Sequence, residues 1–169
     1  MKKKLSADID ITAGSILLLA KHPRQVSFLV SLLGCRISLL GEGYSIHPEL
    51  EFQNTSCHPD EDRIHADFSV YVAYSEAQAV VYATHYPPFL VILAGDYAAW
   101  SRSLLHELRS HAATQLMTLI LLTDDHIPSW IDQEDNPGFD GFLVNPISRE
   151  ILFSLIHSAY TRQACFAFR

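Results

Sequence analysis

Paired cysteines, a glycine-rich phosphate loop, a run of basic residues long enough to grip nucleic acid and an apolar segment long enough to span a membrane are all missing from this 169-residue chain. Its three cysteines, Cys35, Cys57 and Cys165, are odd in number and widely spaced, which suits reduced thiols better than a disulfide framework. Cys57-His58 and His65 have no C-x-x-C or H-x3-H spacing to close a tetrahedral site, so no metal is expected there. Lysine and arginine number 12 against 19 acids, a formal net charge of −7, and the one basic cluster is Lys2-Lys3-Lys4. Nucleic-acid binding needs clustered cations, so this composition argues against it. The richest apolar stretch, Val26 to Leu40, is broken by Ser31, Gly34, Arg36 and Ser38 and falls short of the roughly 18 continuous residues of a membrane helix. Ile16 to Ala20 is too short for a secretory core and has no small-residue cleavage site behind it, so a cytoplasmic protein is expected.

What remains is a chain with 49% hydrophobic and 18% charged residues, enough for one well-buried core and too short for two ordinary domains. We read residues 1–14 as an N-terminal tail, 15–163 as one domain with an inserted loop at 41–67, and 164–169 as a C-terminal tail. A first strand, Ser15 to Ala20, turns at His22-Pro23 into a helix over about Arg24 to Leu40, with Phe28, Leu32, Leu33 and Leu39-Leu40 as its apolar side. From Gly41 to Asp67, Gly41, Gly43, Pro48 and Pro59 punctuate a polar segment. Within it, Tyr44, Ile46, Leu50 and Phe52 alternate closely enough for an extra strand or a partner-facing patch.

Phe68 to Ala73 alternates as a strand, and Ser75 caps a helix over Glu76 to His85 with Ala77, Val80, Val81 and Ala83 inward. Pro88 to Leu93 is the continuous run of a strand buried on both faces. A helix over about Ala98 to Ala112 carries Trp100, Leu104, Leu105 and Leu108. Leu119 to Thr123 is the next strand, followed by a weak helix around Pro128 to Gln133, a strand over Gly141 to Val144, and a last helix over about Arg149 to Gln163. This alternation predicts an α/β fold with a doubly wound, five-stranded parallel sheet of flavodoxin-like type. Ligands in such sheets collect at the carboxyl ends of the strands. Ala20-Lys21-His22-Pro23 carries neither G-x-G-x-x-G nor a Walker signature, so nucleotide and flavin cofactors have no sequence basis.

Pro88-x-Leu-Val-Ile-Leu, Leu121-Leu122-Thr123 and Gly141-Phe142-x-x-Asn145-Pro146, in this order, resemble the receiver domains of bacterial two-component response regulators over about Ser15 to Arg162. The resemblance implies a (βα)5 fold, a magnesium ion held by strand-end acids, an aspartate that accepts a phosphoryl group and a lysine that neutralises it. The matching positions here are Ala20, Lys21, Ala94 and Asn145, with Thr123 retained as the hydroxyl residue. Alanine ligates no metal and asparagine carries no charge, so a degenerate, non-phosphorylatable pseudo-receiver without metal or cofactor is expected, not an enzyme.

Alternatives remain open. Asp96 lies two residues past Ala94 on the same strand alternation and is a candidate displaced phosphoacceptor; in that case Thr123 and Phe142 would carry the switch. A small-ligand sensor built on the neutralised pocket is a third reading. The resemblance also implies a protein partner, such as a histidine kinase or another regulator, and leaves room for a homodimer. Trp130, Ile131, Asp132 and Glu134 combine an aromatic anchor with a polar rim and are the expected partner-binding residues.

Overall fold

The computed structural model describes residues 14–33, 36–40, 43–47, 68–96, 99–110, 114, 116–124 and 138–167. Its elements in chain order are β1 (Gly14–Ala20), α1 (Pro23–Leu33), β2 (Arg36–Leu40), β3 (Gly43–His47), β4 (Phe68–Ala73), α2 (Glu76–His85), β5 (Pro88–Ala94), α3 (Arg102–Ser110), β6 (Thr118–Thr123), β7 (Gly141–Val144) and α4 (Arg149–Ala167). They form one sheet of seven strands in the order β2-β3-β4-β1-β5-β6-β7. The five strands from β4 to β7 pair in parallel, as the sequence predicts for a doubly wound fold.

Alternation along the strands divides the interior into two cores. Ile16, Leu18, Val70, Val72, Leu90, Ile92 and Ile120 pack with Val26, Leu29, Val30 and Leu33 of α1 and Leu152, Ile156 and Ala159 of α4. Leu17, Leu19, Val91, Leu93, Leu119 and Leu121 pack on the other face with Ala79 and Ala83 of α2 and Leu104, Leu105 and Leu108 of α3. Strands β1 and β5 are apolar at nearly every position because helices cover both their faces. At the amino end of β1, Gly14 accommodates the ring of Phe89: a Cβ there would lie 2.6 Å from Phe89 Cδ1. The β1–β5 register slips at this point, passing from Ser15 opposite Pro88 to Ile16 opposite Leu90.

The first helix is shorter than the sequence predicts. It ends at Leu33, and Arg36–Leu40 forms β2, paired antiparallel with β3 through Ile37 opposite Ile46 and Leu39 opposite Tyr44. Apolar residues at 37 and 39 satisfy a strand period as well as the end of a helical one, and glycine, the residue type at position 34, disfavours helix. β3 in turn pairs antiparallel with β4, Tyr44 opposite Val72 and Ile46 opposite Val70. The extra strand expected around Tyr44 and Ile46 is present, but its partner comes from the predicted helix. Leu50 and Phe52 lie outside the described residues, as does the helix predicted around Pro128 to Gln133.

Buried faces also shift within helices. In α2 the fully buried residues are Ala79 and Ala83, while Ala77 and Val81 are exposed. Two alanines bury little apolar surface themselves; Val80 and Tyr82 pack partly buried beside them, and polar contacts add to the helix's attachment. Ser75 caps it by accepting from the Gln78 N–H at 3.2 Å, and the Glu76 carboxylate accepts from both the N–H and the hydroxyl of Ser101. Ser101 Oγ accepts from Leu104 N at 3.1 Å, so one serine caps α3 and ties it to α2.

A single acid organises the opposite, amino end of the sheet. Asp140 Oδ2 accepts from Arg109 at 2.6 Å and from the Leu119 N–H at 2.7 Å, and its Oδ1 accepts from Arg162 at 3.1 Å. Burial raises the Asp140 pKa, but the Leu119 N–H and the two guanidiniums outweigh it and hold the carboxyl below its ordinary value. Because the folded pKa is depressed, Asp140 stabilises the fold fully above its unfolded pKa and loses that contribution as pH falls through the folded value. Asp140→Asn is expected to lower the unfolding free energy by roughly 1–3 kcal/mol near neutral pH. Urea titrations of both proteins should show that difference constant above about pH 5 and shrinking in more acidic solution.

Candidate functional site

The carboxyl ends of β1, β5 and β6 are level with one another, since Ala20 stands opposite Ala94 and Ala94 opposite Leu122. All three side chains are buried in the α1-facing core. Thr123, one residue further along β6, is opposite Val144 and is also buried. Asn145 follows β7 with its N–H donating to the Thr123 carbonyl at 2.9 Å, and it precedes Pro146 through a cis peptide bond. The sequence-derived pocket residues Ala20, Ala94, Thr123 and Asn145 are therefore brought together at one end of the sheet.

Lys21 leaves this group. It is exposed, and its Nζ lies 5.1 Å from the centroid of the Trp100 ring, which anchors the start of α3 in the second core. Asp96 leaves it too. β5 ends at Ala94, Gly95 takes a φ of 124°, and the alternation assumed for Asp96 stops at that turn. Asp96 is exposed, and its carbonyl accepts from Ala99 N at 2.9 Å.

Above Ala94 lies a cleft of about 310 Å³ lined by Arg24, Gln25, Phe28, Ala94, Leu122, Asp124, Asn145 and Pro146. The first two turns of α1 form one wall, because Arg24 and Phe28 are four residues apart and so share a helix face. Phe28, assigned from the sequence to the apolar side of α1, is 39% exposed, while Val26, Leu29, Val30 and Leu33 form the buried face. On the opposite wall, Asn145 Nδ2 donates to Asp124 Oδ1 at 2.7 Å. A carboxylate only accepts, so this bond fixes which end of the Asn145 amide points at Asp124. Asn145 Oδ1 and Gln25 Oε1 are left as buried oxygens without hydrogen-bond partners.

These residues do not fit a magnesium site. Mg²⁺ favours anionic oxygens in octahedral geometry, and among the described residues Asp124 is the one carboxylate lining the cleft, already bonded to Asn145. Among the described residues, no group of three or more His, Cys, Asp or Glu side chains is placed to hold a metal ion.

Phe142 is 37% exposed on β7, opposite Leu121, rather than a core aromatic, whereas Thr123 is the buried strand-end hydroxyl that the sequence suggests. The expected partner-binding residues Trp130, Ile131, Asp132 and Glu134 lie outside the described residues. Sequence reasoning did not find the Arg24–Phe28 wall or the Lys21–Trp100 contact. The i, i+4 spacing of Arg24 and Phe28 was a readable signal, whereas no local pattern links Lys21 to Trp100.

No protein-family model matches this chain, and no curated protein does. Solved structures match it by shape. The signal receiver domain of an HD domain-containing protein from Pseudomonas fluorescens aligns over 90% of this chain and 98% of its own, with a TM-score of 0.59 and 19% identity. Chemotaxis protein CheY4 of Vibrio cholerae aligns over 86% of this chain and 98% of its own, with a TM-score of 0.58 and 13% identity. The receiver domain of sensor histidine kinase PA1611 from Pseudomonas aeruginosa, described with a magnesium ion coordinated in its active-site cleft, aligns over 86% and 96%, with a TM-score of 0.56 and 15% identity. The fold is thus the flavodoxin-like fold of receiver domains, here with an antiparallel hairpin added beside β4.

The Lys21–Trp100 contact makes a measurable prediction. Lys21→Ala in a Trp130→Phe background should shift the emission of Trp100 and cost about 0.5–1 kcal/mol in denaturant unfolding, the scale of an exposed cation–π contact.

Proposed function

We propose that this protein is a pseudo-receiver: a receiver-like module of bacterial signal transduction that works through protein contacts, without phosphoryl transfer and without catalytic turnover. One observation carries the reading. The strand ends at the cleft present the methyl group of Ala94 and an amide at Asn145 where the fold's signalling chemistry uses an aspartate and a lysine, while the charged residues of the lining, Arg24 and Asp124, stand on α1 and just past β6, with Asp124 holding the Asn145 amide. Lys21, which carries a suitable charge, stacks on Trp100 instead.

The partner on this reading is another signalling protein, such as a histidine kinase or a regulator, met in the cytoplasm. Among the described residues no helix is long and apolar enough to cross a membrane. The segment around Trp130 has the composition of an anchor with a polar rim and is the proposed contact region. The half-exposed Ile151 and partly exposed Phe142, on α4 and β7, extend the apolar surface available to a partner.

The decisive measurement exposes the protein to Mg²⁺ with acetyl phosphate, and separately with beryllofluoride, and follows intact mass and the amide spectrum. Neither reagent is expected to add mass or to move the resonances of Ala94, Thr123 and Asn145. Covalent labelling at Asp96, abolished in Asp96→Asn, would overturn the proposal in favour of an atypical phosphorylated receiver.

A further inference from the structure

The cleft above Ala94 holds more uncommitted polar chemistry than an interaction module needs. Among the described residues Arg24 has no ion-pair partner, and it does not bridge to Asp124 although both line the same cleft. Asp124 gives Oδ1 to Asn145, which leaves Oδ2 open. Gln25 Oε1 and Asn145 Oδ1 also lack donors, but both atoms are buried beneath the lining surface. One cation, Arg24, and one open carboxylate oxygen, Asp124 Oδ2, therefore border the apolar lining of Phe28, Ala94, Leu122 and Pro146.

An occupant complementary to this arrangement carries a negative group for Arg24, a cationic N–H donor for Asp124, and an apolar body between them. A simple anion satisfies only Arg24 and meets the charge of Asp124. A simple amine leaves the guanidinium unpaired. A metal ion finds a single carboxylate and no room for an apolar contact. The volume of about 310 Å³ sits at the small end of ligand pockets and suits a molecule of roughly ten to fifteen non-hydrogen atoms.

We propose that this cleft binds a small zwitterion with an apolar body, a hydrophobic α-amino acid, with its carboxylate on Arg24, its ammonium group toward Asp124, and its side chain against Phe28 and Pro146. Binding there needs no phosphoryl donor, so it stands or falls separately from the pseudo-receiver proposal. A ligand in this position would bridge α1 to the ends of β6 and β7.

The test uses the full chain and three probes: L-phenylalanine, 3-phenylpropionate, which lacks the ammonium group, and phenethylamine, which lacks the carboxylate. L-Phenylalanine is expected to raise the melting temperature and to shift the amide resonances of Arg24, Ala94 and Asn145. Each truncated analogue should bind at least about tenfold more weakly, the scale of one lost charge-assisted contact. Arg24→Gln, a change at an exposed position, should bring L-phenylalanine down to the affinity of phenethylamine while leaving the circular dichroism spectrum unchanged. Equal binding of all three probes, tightest binding of an analogue, undiminished binding in Arg24→Gln, or no response at about 10 mM of any probe would each overturn the proposal.

Discussion

Parallel register between β1, β5 and β6 is the constraint on which the rest of the molecule depends. Because side chains alternate, aligning Leu18 with Ile92 and Ile92 with Ile120 commits every second residue of three strands to the core under α1 and α4. The neighbours of those residues are committed at the same stroke to the core under α2 and α3. The alignment also brings Ala20, Ala94 and Leu122 level at the carboxyl end, and that places the apolar side chains of Ala94 and Leu122 in the lining of the cleft. A slip of one residue in any of these strands would exchange the side chains it sends to the two cores.

The two ends of the sheet differ in how they handle charge. At the amino end Asp140 gathers Arg109, Arg162 and a backbone N–H, while Arg109 also donates to the Gly138 and Met117 carbonyls, so charge there is spent on joining α3 and α4 to the strands. At the carboxyl end the charges stand apart: Lys21 lies over an indole, Arg24 is exposed, and Asp124 holds an amide rather than a cation. A structural ion pair at one end and separated charges at the other are what a fold needs if only one end is to engage a solute or another protein.

Much of this was legible in the sequence because buried parallel strands advertise themselves. Phe68–Ala73, Glu76–His85 with its Ser75 cap, and Gly141–Val144 fall where alternation, a cap residue and helical spacing place them. Leu33 to Leu40 misled because Leu39-Leu40 continues a helical stripe, and only pairing with Tyr44 and Gly43, supplied by tertiary contact, turns it into a strand. The emptied pocket was readable as residue identities. Its polar arrangement was not, since the Asn145–Asp124 bond depends on how two loops approach one another, and the reach of Lys21 to Trp100 joins segments with no common pattern. The alternation that made Asp96 look like a strand residue failed at Gly95, whose positive φ ends the strand there.

The hairpin of β2 and β3 has a consequence for the order in which the sheet is affordable to assemble. Leu40 meets Gly43 across the shortest of connections, whereas Gly14 meets Phe68 only after the whole intervening chain has been gathered in. Loop closure costs little entropy for the first pair and more for the second, so the ribbon is the local part of an otherwise long-range sheet. Docked on β4, it lends that strand a second set of backbone hydrogen bonds beside those from β1. Strand β4, whose parallel partner lies far back in the chain, is thereby held from both sides.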